Sequence, residues 1–236
     1  MHTVTFFLVN LNPRQNDLGS KQMAATMPSA KAGSLHETLY KKVPWTHAAD
    51  GMIRSGDCLM IKNKKTNGWL ALNTNDKCPG AEERYMLTTT SEDQIGPANR
   101  AMFKIVRVED MDIFGSDDIV RYGQKLRIES NPYAFRKPLA CASTPKGQNT
   151  YSPVSRNNEA SMHANATFAG VWVIDTLDPN FRMERQGEPV KCGDPILIRH
   201  CSTSHYLASD DKRYVSSDFG GEKEVMCHSF AIQNRT

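Results

Sequence analysis

Apolar and polar positions alternate in three short segments of this chain, Gly56-Asp57-Cys58-Leu59-Met60-Ile61, Gly123-Gln124-Lys125-Leu126-Arg127-Ile128 and Gly193-Asp194-Pro195-Ile196-Leu197-Ile198. Alternation with a period of two is the signature of a half-buried strand. The three glycines recur at roughly 70 residues, and self-similarity at a fixed period speaks for repeated architecture before any single element does. A Leu-Ala pair follows each segment at a matched distance: Leu70-Ala71, Leu139-Ala140 and Leu207-Ala208. Further on, Met102-Phe103-Lys104-Ile105-Val106 and Gly170-Val171-Trp172-Val173-Ile174 supply an aromatic strand to the first two units. No stretch keeps the i, i+3, i+4, i+7 spacing of an amphipathic helix. The expected fold is all-β, a β-trefoil-like barrel of three pseudo-repeats at about 51–112, 117–180 and 187–236, since a closed barrel removes exposed sheet edges.

The third unit lacks its aromatic strand, because the spacing of the first two would place it beyond Thr236. Val4-Thr5-Phe6-Phe7-Leu8-Val9 is strongly β-prone and is followed by Asn12-Pro13-Arg14, which would end a strand. Residues 1–10 are therefore expected to complete the third unit. Residues 77–100 and 144–167 are rich in Pro, Asn, Ser, Thr and charge and read as long insertions between strands. Residues 11–50, broken by Pro13, Gly19, Pro28, Gly33 and Pro44, read as an extended arm that orders against a partner. Asn67-Gly68 marks a hairpin turn, and Gly220-Gly221 a tight turn.

Composition narrows the function. Lys plus Arg number 29 against 26 Asp plus Glu, a net charge of +3 that lacks the strongly basic balance of a nucleic-acid binder. The opening residues have neither a basic region nor a small-residue cleavage site, and nothing approaches the run of roughly 20 apolar residues that a membrane span requires. Six scattered cysteines form no close pair, so neither a disulfide framework nor paired zinc ligands are indicated, and a reducing cytoplasmic setting is expected. On this reading Asn165-Ala166-Thr167 is an incidental sequon. His200, Cys201, His205, Cys227 and His228 are the densest chemistry. His200 and Cys201 are neighbours on one strand and point to opposite faces, and no oxyanion device accompanies a cysteine nucleophile. Cys201 is expected to be a buried apolar residue. Phosphate-cradling glycine motifs are absent. The expectation is a non-enzyme without cofactor or metal.

Several longer stretches carry a family resemblance: Val120-Arg121-Tyr122-Gly123-Gln124, Leu177-Asp178-Pro179-Asn180-Phe181-Arg182-Met183-Glu184, Ile196-Leu197-Ile198-Arg199-His200-Cys201-Ser202-Thr203 and Phe219-Gly220-Gly221-Glu222-Lys223-Glu224-Val225. With gaps between about Met52 and His228, the chain resembles the cilia- and flagella-associated protein 161 family. The family's region before its first unit has no recognisable counterpart. Its closing strand is missing from the end of the chain, while Phe6-Phe7-Leu8-Val9 looks like that strand. The resemblance implies a microtubule inner protein of the axoneme, bound to tubulin in the A-tubule lumen and to neighbouring inner proteins of ciliary and flagellar doublets. A second class of reading is a MIR-like or lectin-like binding module unrelated to microtubules, although the Gln-x-Trp of sugar-binding trefoils is replaced here by Met102-Phe103 and Val171-Trp172. For partner contact the candidates are Lys41, Lys42 and Trp45 on the arm, and Lys62, Lys64 and Lys65 beside the Asn67-Gly68 turn. A charge run suits acidic tubulin, and an aromatic in a polar arm gains from burial on a partner.

Overall fold

A computed structural model of the chain describes residues 5–9, 33–43, 46, 48–78, 84–91, 96–108, 117–135, 137–145, 150–164 and 168–229. Twelve strands carry the architecture: β1 (Thr5–Val9), β2 (Cys58–Asn63), β3 (Trp69–Lys77), β4 (Arg84–Thr90), β5 (Met102–Arg107), β6 (Lys125–Ser130), β7 (Ala140–Thr144), β8 (Asn158–His163), β9 (Trp172–Thr176), β10 (Pro195–His200), β11 (Tyr206–Ser217) and β12 (Gly220–His228). Among the described residues one α-helix, α1 (Gly33–Tyr40), accompanies them.

All pairings are antiparallel, and the sheet closes on itself as a barrel. The order β1, β2, β5, β6, β9, β10 returns to β1. The other six strands form the hairpins β3–β4, β7–β8 and β11–β12, which meet one another through β4–β8, β12–β8 and β12–β4. Each strand of the ring turns an alternating pair of side chains inward: Phe6 and Leu8, Leu59 and Ile61, Phe103 and Ile105, Leu126 and Ile128, Trp172 and Ile174, Ile196 and Ile198. The repeated Gly-x-x-apolar-x-Ile is the inward face of β2, β6 and β10. Each such side chain stabilises the fold by about 1.5–3 kcal/mol through the apolar surface it removes from water. Leu70, Leu139 and Leu207 join the same core from the hairpins.

The repeated glycines occupy turns that only glycine adopts without strain. Asp57 N–H donates to Arg54 O, Gln124 N–H to Arg121 O and Asp194 N–H to Lys191 O at 3.1, 3.2 and 3.2 Å. The third residue of each turn is Gly56, Gly123 or Gly193, with φ of 99°, 81° and 85°, as a type II turn requires. Just before these turns the three units are laced together in a cycle. Ile53 N–H donates to Val190 O (3.1 Å), Val190 N–H to Val120 O (2.9 Å) and Val120 N–H to Ile53 O (2.8 Å). All three side chains are fully buried and close that end of the barrel.

The connections differ from the expectation. The supposed insertions 77–100 and 144–167 contain β4 and β8, and their polar residues are buried where the hairpins meet: Thr89 Oγ1 lies 2.8 Å from Ser209 Oγ, and Thr88 donates to Glu222 at 2.8 Å. Of the proposed arm, residues 11–32, 44, 45 and 47 lie outside the described residues. Residues 33–43 are not extended throughout but form α1 and an attached bridge, Lys42 to Ala98. They rest on the body of the molecule: Leu39 is fully buried, Asn99 Nδ2 donates to Thr38 O at 2.7 Å, and Val43 N–H donates to Pro97 O at 2.9 Å.

Candidate functional site: a lysine-edged outer cluster

Outside the barrel, the outward residues of β2, β3 and β5 make a second apolar cluster in which Met60, Trp69, Ala71 and Met102 pack with Ala98, Ala101 and Val43. Val43 arrives with the segment after α1 and brings the chain beside Lys41 and Lys42 to the same cluster as Trp69. Lys41 and Lys42 precede Val43 and are exposed, and Lys62 lies over Trp69 with Nζ 5.1 Å from the ring centroid. The β2–β3 turn presents Lys64 and Lys65 from a fixed base, because Asn63 Oδ1 accepts from the Lys65 and Thr66 N–H groups, both at 3.0 Å. Asn67 adopts φ of 52°, the positive value expected of that turn. Lys65 faces Asp211 at 3.6 Å, which offsets part of its charge, whereas Lys64 is exposed. Trp45 lies outside the described residues. The arrangement is a set of positive charges on a rigid apolar support, suited to steering and orienting an acidic surface.

Buried polar clusters elsewhere have a different character. Glu159, Ser161 and His163 share one face of β8, and Ser161 Oγ lies 2.5 Å from Glu159 Oε1 and 2.9 Å from His163 Nε2. The hydroxyl gives its one proton to the carboxylate, and the imidazole donates to it, so the histidine is not placed to activate the serine. Burial, with the Arg84 charge adding to it, pushes His163 down to about 4. The neighbouring Cys78 is pushed up to about 12, chiefly by burial, and stays a thiol. In the third unit, His200 is held by Thr203 Oγ1 at 2.9 Å and Ala169 O at 3.0 Å, the bonds of a histidine that braces a turn. Cys201 is half-buried rather than buried; Cys78, Cys141 and Cys227 are the buried cysteines. Its strand ends at His200, and position 201 already turns outward into the β10–β11 connection. Among the described residues no three His, Cys, Asp or Glu side chains converge as a metal set, and no helix is long and apolar enough to cross a membrane.

One exposed feature lies outside the candidate residues named from the sequence. Between β9 and β10, Phe181 is 50% exposed and Met183 80%. Their loop is held firmly, since Arg182 reaches Tyr206 Oη at 3.1 Å and Asp175 at 3.5 Å, while Arg185 stacks on Tyr122 and pairs with Glu188 at 3.0 Å. The arginines turn inward and the apolar side chains outward. The only signal in the sequence was the Leu177–Glu184 motif.

Residues 154–235 match the model of the cilia- and flagella-associated protein 161-like domain. Over that stretch the chain is similar to the family. Cilia- and flagella-associated protein 161 of Danio rerio is 27% identical over 213 residues, covering 85% of this chain and 70% of that protein. The Mus musculus protein of the same name is 32% identical over 72 residues, 30% of this chain and 24% of its own length. In solved structures the fold is similar to the SDF2-like protein from Arabidopsis thaliana, with a TM-score of 0.56 at 19% identity over 75% of this chain and 88% of that one. It is also similar to the S. cerevisiae protein O-mannosyltransferase Pmt1-Pmt2 complex bound to the sugar donor, with a TM-score of 0.54 at 16% identity over 80% of this chain and 25% of that one. At such identities the likeness is one of fold alone.

Proposed function

We propose that this chain is a structural, non-catalytic component of ciliary and flagellar axonemes, a microtubule inner protein that lies against tubulin on the lumenal wall of doublet microtubules beside neighbouring inner proteins. The observation that carries the reading is the family match, whose relatives are named for cilia and flagella. The lysine edge around Trp69 supports it, because the tubulin surface is acidic and charge of opposite sign favours encounter and orientation. We read the barrel as a β-trefoil with β1 as the closing strand of its third unit, on the strength of the closed ring, the three hairpins and the three equivalent glycine turns.

A sugar-binding module of similar fold is the competing class. Its weakness is local: Trp172, in the place of the sugar-binding tryptophan, is fully buried and its indole donates to Cys141 O at 2.7 Å. Cosedimentation of the purified chain with salt-washed doublets, run beside a glycan array, separates the two. The expected result is binding to doublets that weakens with salt and falls at least about tenfold in K41E/K42E/K62E/K64E, with an unchanged unfolding midpoint. Binding to glycans and not to doublets would overturn the proposal.

A further inference from the structure

β1 stands between β10 and β2, the station that β5 holds between β2 and β6 and β9 holds between β6 and β10. The equivalence extends to single bonds. Gly56 N–H donates to Ile105 O (2.7 Å), Gly123 N–H to Ile174 O (3.0 Å), and Gly193 N–H to Leu8 O (2.8 Å). What differs is the tether. β5 and β9 follow the hairpins of their own units after short connections, whereas β1 reaches its place from the far side of residues 10–32, a length of chain that spans up to roughly 75 Å at about 3.3 Å per residue.

The slot itself is well defined. Phe6 pairs with Ile196 and Asn63, Leu8 pairs with Ile61, and both side chains are buried at 0% and 1% exposure. Thr5 O accepts from Lys64 N–H at 2.9 Å, and Thr5 is fully buried. Phe7 and Val9 face outward and are half-buried. On the β10 side Phe7 stands opposite Pro195, which has no N–H to donate. Main-chain bonds on two edges, with pockets for alternate side chains, are the chemistry by which a sheet takes in an extended peptide.

We propose that the gap between β2 and β10 is a strand-accepting site that takes β1 of a second copy of this chain as well as β1 of its own. Effective concentration is on the order of mM for a short linker and falls as the linker lengthens, and residues 10–32 separate β1 from α1. A second copy held at comparable concentration in an assembly therefore competes for the slot, with no new interface chemistry. The exchange makes one barrel from two chains, and it is independent of the axonemal reading.

The test starts from the full chain with a protease site placed between Gln15 and Asn16. After cleavage, residues 1–15 are retained by pairing alone, and a fluorescent synthetic peptide of residues 1–15 is expected to replace them, whereas the same peptide carrying Phe6→Asp and Leu8→Asp is not. If cleavage unfolds the remainder, the native peptide is expected to restore the folded signal and the doubly substituted one to fail. Equal behaviour of the two peptides, or no exchange and no rescue by either, overturns the site. The second-copy step is read separately by native mass spectrometry of uncleaved light and heavy-isotope chains refolded together near mM concentration. Mixed dimers that the native peptide dissociates are expected; monomers at every concentration would overturn that step while leaving the peptide result standing.

Discussion

Gly56, Gly123 and Gly193 do the same work in three places, and their replacement tests how closely the places correspond. A side chain at φ of 81–99° is strained by about 1–2 kcal/mol. Gly193→Ala meets no neighbouring atom, so strain is its whole cost; Gly123→Ala also brings Cβ to 2.9 Å from Gln186 Cγ, a flexible side chain that can give way. Both variants are expected to lower the urea midpoint with unchanged slope, Gly123→Ala by slightly more. Arg100 poses the opposite case. It is completely buried, donates from Nη2 to both oxygens of Glu222 at 2.9 Å, and lies 3.6 Å from the ring of Phe219. Arg100→Met leaves the Glu222 carboxylate buried without its counter-charge and is expected to cost about 3–5 kcal/mol, while Arg100→Met with Glu222→Leu recovers much of that; denaturant titration of the three proteins checks both. The glycines were legible because the chain repeats them. Arg100 and Glu222 were not, since no spacing joins two charged residues that meet only after the first unit and the last hairpin pack together.

Individual strands followed the alternation closely wherever one face meets the barrel interior. β2, β6 and β10, and the aromatic β5 and β9, were readable because apolar burial is periodic there. β4 and β8 were not, because they bury Thr88, Thr89, Thr90, Ser161 and Glu159 at the junction of the hairpins, and hydrogen bonds replace apolar contact. α1 has eight residues, too few for a periodic signal. Its packing instead comes from elsewhere in the chain: Tyr40 meets Phe219 edge-on with ring centroids 5.3 Å apart. β8 carries a pH signature. Unfolded His163 takes up a proton near its ordinary value of 6.5, and folded His163 only near 4. Between those values the unfolded state binds more protons, so stability falls as pH drops from about 6.5 toward 4. His163→Gln is expected to flatten this limb in thermal unfolding measured from pH 7 to 4, and a limb of unchanged slope would place the effect on another group.

At the scale of the molecule the candidate surface was half legible. The lysine runs stand out in any reading of the chain, but that the segment of Lys41 and Lys42 borders the cluster of Trp69 depends on Val43 folding back onto the first unit. Phe181 and Met183 belong to a different face, and Phe181→Ser with Met183→Ser is expected to leave stability within about 0.5 kcal/mol, as befits exposed side chains. If that face holds a neighbouring inner protein, the double variant is washed from axonemes at lower salt than the parent. A glutamate-substituted lysine edge tests the other face, so the two contacts can be separated in one extraction series.

The position of β1 has a consequence for biosynthesis. Its partner β2 begins about 50 residues after it, but β10 lies about 190 residues downstream, so at roughly 5–20 residues per second a ribosome needs on the order of 10–40 s to deliver it. Throughout that interval Phe6, Phe7, Leu8 and Val9 have at most one edge satisfied, and they form an apolar, uncharged strand of the kind that invites mispairing between nascent chains on one message. Closure of the ring therefore waits for β10, and β1 stays half-paired while β3 to β9 are made.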